Sequence, residues 1–452
     1  MSDATMDAAG RTRAAASDLY RAVWRWHFYA GLFVLPFLIT LSLTGGAYLF
    51  RDEIDMIAHA EIKRVAVQEG PALRPEQLVA SALSAVPGRA VKYTDPPASH
   101  VSAEVTVSTD SGRRMAVFVD PYRGTVLGAR PDRSTLMWTV RELHSLRYFG
   151  PVARGVIEIV GGWTILLVAT GLYLWWPRGR RGGVVTVRGT PRRRVFWRDT
   201  HAVSGVLLGG FIVFLAVTGM PWSQVWGAKV NEWANGSNFG YPSGVRVDVP
   251  MSGQRLAEQA PTSWSLEQAQ VPQGTPPAGA RPIGLDAAVA TFRRLGLPPG
   301  HAVVLPASDT GVYSGSVYPD DARGQRVVHL DQYDGRPLVD MGYGDYGPAG
   351  RWLEFGISTH MGQQFGLANQ IVLLAVCAGT ILLSVSAGVM WWKRRPSRAL
   401  GVPPMPEDGR VFRGLLAILL AGGVLFPLTG ASLMVMLALD MGLRRLRRPS
   451  VA

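Results

Sequence analysis

The chain has a single cysteine, Cys377, among its 452 residues. No disulfide can close within it, and no Cys-x-x-Cys-His segment can attach a haem covalently. No Gly-x-Gly-x-x-Gly segment is expected in the strand-to-helix context of a dinucleotide site, and no flavin fingerprint accompanies one. Any reduced nicotinamide or flavin would come from a separate molecule. Acidic residues are also scarce, 33 against 46 Lys and Arg, for a net charge of +13. In a soluble protein that excess suggests nucleic acid, but here the basic residues sit beside apolar runs and carry no recognition motif, so nucleic acid is not expected as a partner.

What the chain has in quantity is apolar sequence, 48% of the residues, gathered in blocks. Runs near 24–50, 152–176, 200–226, 368–392 and 411–439 each reach the ~20 residues that cross a bilayer core. The first follows a polar stretch and shows no Ala-x-Ala-like cleavage site before Arg51, so it reads as a retained anchor. Arg178, Arg180, Arg181, Arg188, Arg192, Arg193, Arg194 and Arg198 lie between the second and third runs, and Lys393, Arg394, Arg395 and Arg398 follow the fourth. Short basic loops stay cytoplasmic, which places the N-terminus inside and the long loops 51–150 and 227–367 outside. Two readings of the last run stand side by side. It is a fifth span that carries Arg444, Arg445, Arg447 and Arg448 outward against the usual bias, or Pro427 divides it into a hairpin.

The long loops repeat each other. A helix over Arg74–Val86 precedes strands over Ala90–Leu127, and a helix over Leu285–Leu295 precedes strands over Ala302–Leu338. Asp120-Pro121-Tyr122-Arg123-Gly124 and Asp331-Gln332-Tyr333-Asp334-Gly335 share an Asp-x-Tyr-x-Gly spacing that makes a turn between strands. The expected fold is a mainly α-helical membrane bundle of about five transmembrane helices with two small periplasmic α+β domains. Its segments are a cytoplasmic 1–23, helix 24–50, domain 51–143, outer amphipathic segment and helix 144–176, and basic loop 177–199. Then follow helix 200–226, domain 227–359 with a Pro/Gly/Ser/Gln-rich insertion, outer segment and helix 360–392, loop 393–410, helix or hairpin 411–440, and basic tail 441–452.

Four of the eight histidines fall into two matched registers. His27 and His201 each have Gly four residues on (Gly31, Gly205) and Thr-Gly at seventeen and eighteen (Thr44-Gly45, Thr218-Gly219). His144 and His360 each have Phe-Gly at five and six (Phe149-Gly150, Phe365-Gly366) and Trp-Trp at thirty-one and thirty-two (Trp175-Trp176, Trp391-Trp392). Ionisable groups at membrane helices are functional candidates by default. Iron held between two imidazoles has no free position, which favours electron transfer over oxygen chemistry. The topology pairs His27 with His201 near the cytoplasmic face and His144 with His360 near the outer face, each pair ligating the iron of one non-covalent, b-type haem. A continuous helix from His144 to Trp175 would run roughly 46 Å, so a break is expected at Gly150-Pro151, with Gly362 and Gly366 allowing a similar bend after His360.

Gly31 and Gly205 have two readings, room for a porphyrin or close helix packing. His59, His100, His301 and His329 are expected to be ordinary packing or surface residues. The tryptophans at span ends, with Trp163 among them, form an interfacial belt. Arg25, Arg141, Arg147 and Arg351 suit haem propionates, or else lipid headgroups and water.

Taken together, the Trp26-His27 opening, the paired hairpins, Leu143-His144 and Thr359-His360, and the exits Trp175–Arg178 and Trp391–Arg394 resemble the PepSY-associated transmembrane family over nearly the whole chain. Relatives in it include bacterial inner-membrane ferrisiderophore reductases. The resemblance implies two b haems on membrane histidines, a cytoplasmic electron donor (a flavoprotein or the reduced nicotinamide pool), and a ferric siderophore or other ferric chelate as periplasmic acceptor. Two other classes compete with this one. A non-catalytic anchor or regulator would bind periplasmic peptides or proteases, and a transporter would need a hydrophilic path that these spans do not offer.

Overall fold

The computed structural model describes residues 3–178, 182–237, 249–397, 400–403, 417 and 421–447. Arg180, Arg181, Arg398, Arg448 and most of 404–420 lie outside the described residues. The helices in chain order begin with α1 (Asp3–Tyr48), α2 (Arg51–Ala58), α3 (Ala60–Lys63), α4 (Pro75–Ala85), α5 (Leu136–His144), α6 (Pro151–Trp175) and α7 (Arg194–Gly219). They continue with α8 (Trp226–Ser237), α9 (Leu256–Gln259), α10 (Gly284–Arg294), α11 (Pro348–His360), α12 (Gly366–Arg394) and α13 (Pro427–Arg447). The strands are β1 (Arg89–Thr94), β2 (Ala103–Ser108), β3 (Arg114–Val119), β4 (Val126–Pro131), β5 (Met251–Arg255), β6 (Gln270–Pro272), β7 (Ala302–Val304), β8 (Val312–Val317), β9 (Arg326–Asp331) and β10 (Pro337–Gly342). The chain divides into two compact units, one of residues 1–47, 142–229 and 371–452, the other of residues 48–141 and 230–370.

The first unit is a helix bundle. Asp18–Tyr48, Pro151–Trp175, Arg194–Trp222 and Gly366–Arg394 are long and apolar enough to cross a membrane. Of the fifth run, the described residues hold a shorter apolar helix, Pro427–Leu439. A Cβ built on Gly430 would collide with the Gly423 Cα, whereas seven residues of straight helix cover ~10.5 Å, so the chain doubles back at Phe426-Pro427. Trp163 leaves the expected interfacial belt altogether. It is buried, stacks on Trp26 with ring centroids 6.5 Å apart, and donates its indole N–H to the Ser432 hydroxyl at 2.9 Å, so its own polar atom is satisfied. His144 closes α5, a turn at Arg147–Phe149 follows, and α6 begins at Pro151, so the expected break after His144 is present.

In the second unit the two repeated halves do not form separate domains. Each half is a helix and four strands, and the edges β1 and β7 pair antiparallel, Tyr93 opposite Val303, to give one eight-stranded sheet in the order β10-β9-β8-β7-β1-β2-β3-β4. Joining edge to edge removes two open strand edges and lets Leu78, Val105 and Val117 from one half share a core with Val289, Phe292 and Leu330 from the other. The predicted turns match closely. Tyr122 and Tyr333 each donate a backbone N–H to the Asp120 or Asp331 carboxylate at 2.8 Å, and Gly124 and Gly335 take φ of 70° and 71°.

The two helices that cover this sheet cap one another. The Glu76 N–H donates to the Asp286 carboxylate at 2.9 Å, and the Asp286 N–H to the Glu76 carboxylate at 3.4 Å, so each helix start supplies an acceptor for an orphan N–H of the other. Asp286→Ala is expected to lower stability by about 1 kcal/mol and Glu76→Ala by less, given its longer bond. Thermal unfolding of the detergent-solubilised chain followed by circular dichroism measures both, and unchanged melting in both variants would refute the capping role.

Candidate functional site

His27 on α1 and His201 on α7 come together inside the first unit, their ring centroids 6.3 Å apart and their planes at 78°. What holds each ring is the helix behind it. His27 Nδ1 lies 2.9 Å from the Thr170 hydroxyl on α6, and that hydroxyl donates to the Leu166 carbonyl one turn back at 2.7 Å. A hydroxyl has one proton, so with it committed the oxygen can only accept, and Nδ1 must carry the hydrogen. The lone pair is then on Nε2. His201 reaches the same state by another acceptor: its Nδ1 lies 3.1 Å from the Leu383 carbonyl on α12, with the Ser386 hydroxyl 3.5 Å away and donating to that carbonyl. Both imidazoles are therefore neutral donors through Nδ1, with Nε2 left as the ligating nitrogen.

His144 is built the same way. Its Nδ1 lies 3.0 Å from the Thr44 hydroxyl on α1, which donates to the Thr40 carbonyl at 2.7 Å. The glycine after each threonine admits the ring. A Cβ on Gly45 would meet His144 Cε1 at 3.2 Å, and one on Gly171 would meet His27 Cε1 at 3.3 Å. The sequences Leu41-Ser42-Leu43-Thr44-Gly45 and Leu167-Val168-Ala169-Thr170-Gly171 are thus two copies of one histidine seat. His360 lies in the second unit as the last residue of α11, where the chain turns through Gly362 and Gly366 into α12.

Several residues do something other than expected. A Cβ on Gly31 or Gly205 would make only an ordinary contact, 3.8 Å to Leu167 or 3.6 Å to Leu383, and the glycines against the rings are Gly171 and Gly45. Arg25 is buried, its guanidinium donating to the Pro403 carbonyl and, at 3.1 Å, to Tyr29, so protein groups already hold it. Arg147 pairs with Glu142 at 3.9 Å, and Arg141 stacks over Trp138. A Gly-x-Gly-x-x-Gly spacing, Gly342, Gly344 and Gly347, does lie between β10 and α11, contrary to expectation. There β10 is an antiparallel edge strand and the Gly342 N–H is taken by Asp345 at 2.8 Å, so the turn is not a phosphate cradle. His59, His301 and His329 pack against protein groups; burial pushes His329 down to about 4, beside the Ser314 hydroxyl at 2.8 Å.

Sequence reasoning missed Glu158, a fully buried carboxylate within the apolar α6. Its Oε2 accepts from the N–H groups of Val225 (2.8 Å) and Trp226 (3.2 Å), capping the start of α8. A carboxylate inside an apolar run was the available signal. Glu158→Ala strands two backbone donors and is expected to cost about 1–3 kcal/mol, while Glu158→Gln keeps an acceptor and costs less. Thermal denaturation of the two variants compares them, and equal melting temperatures for wild type and Glu158→Ala would contradict the capping role.

The His27–His201 arrangement fits a metal held between two imidazoles. A metal ~2 Å from each ring nitrogen puts the ring centres roughly 6 Å apart, which matches the separation found. Among the described residues no group of three or more His, Cys, Asp and Glu is gathered, so a bare ion would find few further ligands. A macrocycle that brings its own equatorial nitrogens suits a two-imidazole site. No curated protein matches the chain. The sequence profile of the family described as the PepSY-associated TM region matches residues 24–394, and the chain belongs to that family of membrane proteins.

Proposed function

We propose that the protein is a di-haem membrane oxidoreductase of the bacterial inner membrane, passing electrons from a cytoplasmic donor to a periplasmic ferric substrate such as a siderophore-bound iron. The observation that carries this reading is the His27–His201 pair, two rings 6.3 Å apart, each turned by its Nδ1 hydrogen bond into the tautomer that ligates through Nε2. Haem iron bound there would supply one-electron carriage. The chain's own part would be to hold the His27 and His201 imidazoles neutral and fixed as the ligands of that iron, an arrangement that favours electron transfer over oxygen chemistry.

The sequence register assigns the second haem to His144 and His360, and His144 presents the same tautomer as the first pair. The N-terminus and the basic loops lie inside by the positive-inside rule, and the sheet-bearing segments lie outside, beside the acceptor. Reducing a ferric chelate to Fe(II) weakens its hold on hard oxygen ligands, so one electron is enough to release the metal. The donor is a flavoprotein or the reduced nicotinamide pool.

A visible spectrum of the detergent-purified protein tests the reading. A Soret band with a sharp reduced α band, scaled to about two haems per chain, is expected. His27→Ala or His201→Ala should remove one haem and His144→Ala or His360→Ala the other. A colourless protein, or loss of both haems in every single variant, would overturn the assignment and favour a peptide-binding anchor.

A further inference from the structure

The threonines behind the histidines are placed to do more than pack. Each donates its proton to its own helix at 2.7 Å, Thr170 to Leu166 and Thr44 to Thr40, and each accepts the imidazole Nδ1–H at 2.9 and 3.0 Å. A hydroxyl polarised by donating is a stronger acceptor for the next bond in the chain. Drawing on Nδ1–H enriches Nε2 in electron density, and a more basic axial ligand favours ferric over ferrous iron. The glycine that follows each threonine keeps the ring within reach, since any Cβ would crowd Cε1 at 3.3 or 3.2 Å. A backbone carbonyl also faces each ring, Leu167 at His27, Leu41 at His144 and Leu383 at His201, and only at His201 does the hydroxyl, that of Ser386, stand back at 3.5 Å.

We propose that Thr170 and Thr44 are positioning residues that set the reduction potentials of the two haems, each through its own histidine. This rests on the haem reading above. The hydroxyl is the active part; the methyl only fills space.

The test is a potentiometric titration of the reduced α band in the purified full-length holoprotein, for Thr170→Val, Thr170→Ser, Thr44→Val and Thr44→Ser. Thr170→Val should raise one midpoint by about tenfold in the reduction equilibrium constant, ~59 mV for a one-electron couple, and leave the other in place. Thr44→Val should raise the other midpoint instead. The Ser variants, which keep the hydroxyl, should stay near wild type. Loss of one haem in a Val variant but not in its Ser counterpart also supports the proposal. If one Val variant fails to accumulate, the other decides. Val variants that keep both haems with both midpoints unchanged would overturn it, as would Ser variants that shift as far as Val. Absence of haem from the unsubstituted protein would instead overturn the haem reading, and this inference with it.

Discussion

An imidazole among apolar helices has to place its ring hydrogen on an acceptor, because no water is there to take it. In this bundle the acceptors come from the facing helix. A threonine hydroxyl whose own proton is already spent takes the hydrogen from His27, another takes it from His144, and the Leu383 carbonyl takes it from His201. Each arrangement leaves the far nitrogen as the donor atom. The tautomer of three histidines therefore follows from helix packing and from hydrogen bonds one turn back along the facing helices. Without that packing the same histidines would be ordinary polar residues near helix ends.

The packing in turn depends on small residues at the crossings. A Cβ on Gly209 would crowd Val168 at 3.1 Å and one on Gly379 would crowd Leu208 at 2.7 Å, so these glycines let α7 approach α6 and α12. Gly162 lies so close to Thr429 that no side chain fits between α6 and the returning arm of α13. The Trp163 indole fills the neighbouring space, with Ser432 satisfying its N–H. The sheet unit follows a parallel rule: two halves, each with an edge to hide, join through β1 and β7 and cap one another's helices.

Much of this was legible in the sequence because it is local. Hydropathy shows four helices able to cross, alternation and the Asp-x-Tyr-x-Gly turns show the strands, and fixed offsets single out His27, His201, His144 and His360. The unread parts are all non-local. Nothing in α6 marks Thr170 as the partner of His27, since Ser and Thr in apolar helices commonly bond only their own backbone. Strand patterning does not say that β1 will meet β7 two hundred residues away, only that an edge exists. Gly31 was ambiguous because glycine next to a ligand and glycine in a helix crossing look alike in one dimension. The last apolar run stayed open between a span and a hairpin at Pro427, since a composition count alone does not choose between them, and the chain reverses at Phe426-Pro427.

Family membership and four spanning-length helices establish a membrane protein; the redox reading rests on the histidine geometry. Its central claim is that His27 and His201 occupy both axial positions of one iron. Carbon monoxide added to the dithionite-reduced protein tests this most directly, because it binds ferrous haem only where an axial position is open. The account predicts an unshifted spectrum for the wild type and, in His201→Ala, a carbonmonoxy spectrum only for a haem left on His27 alone, the His144–His360 haem staying unshifted. Ready carbon monoxide binding by the unsubstituted protein would contradict it.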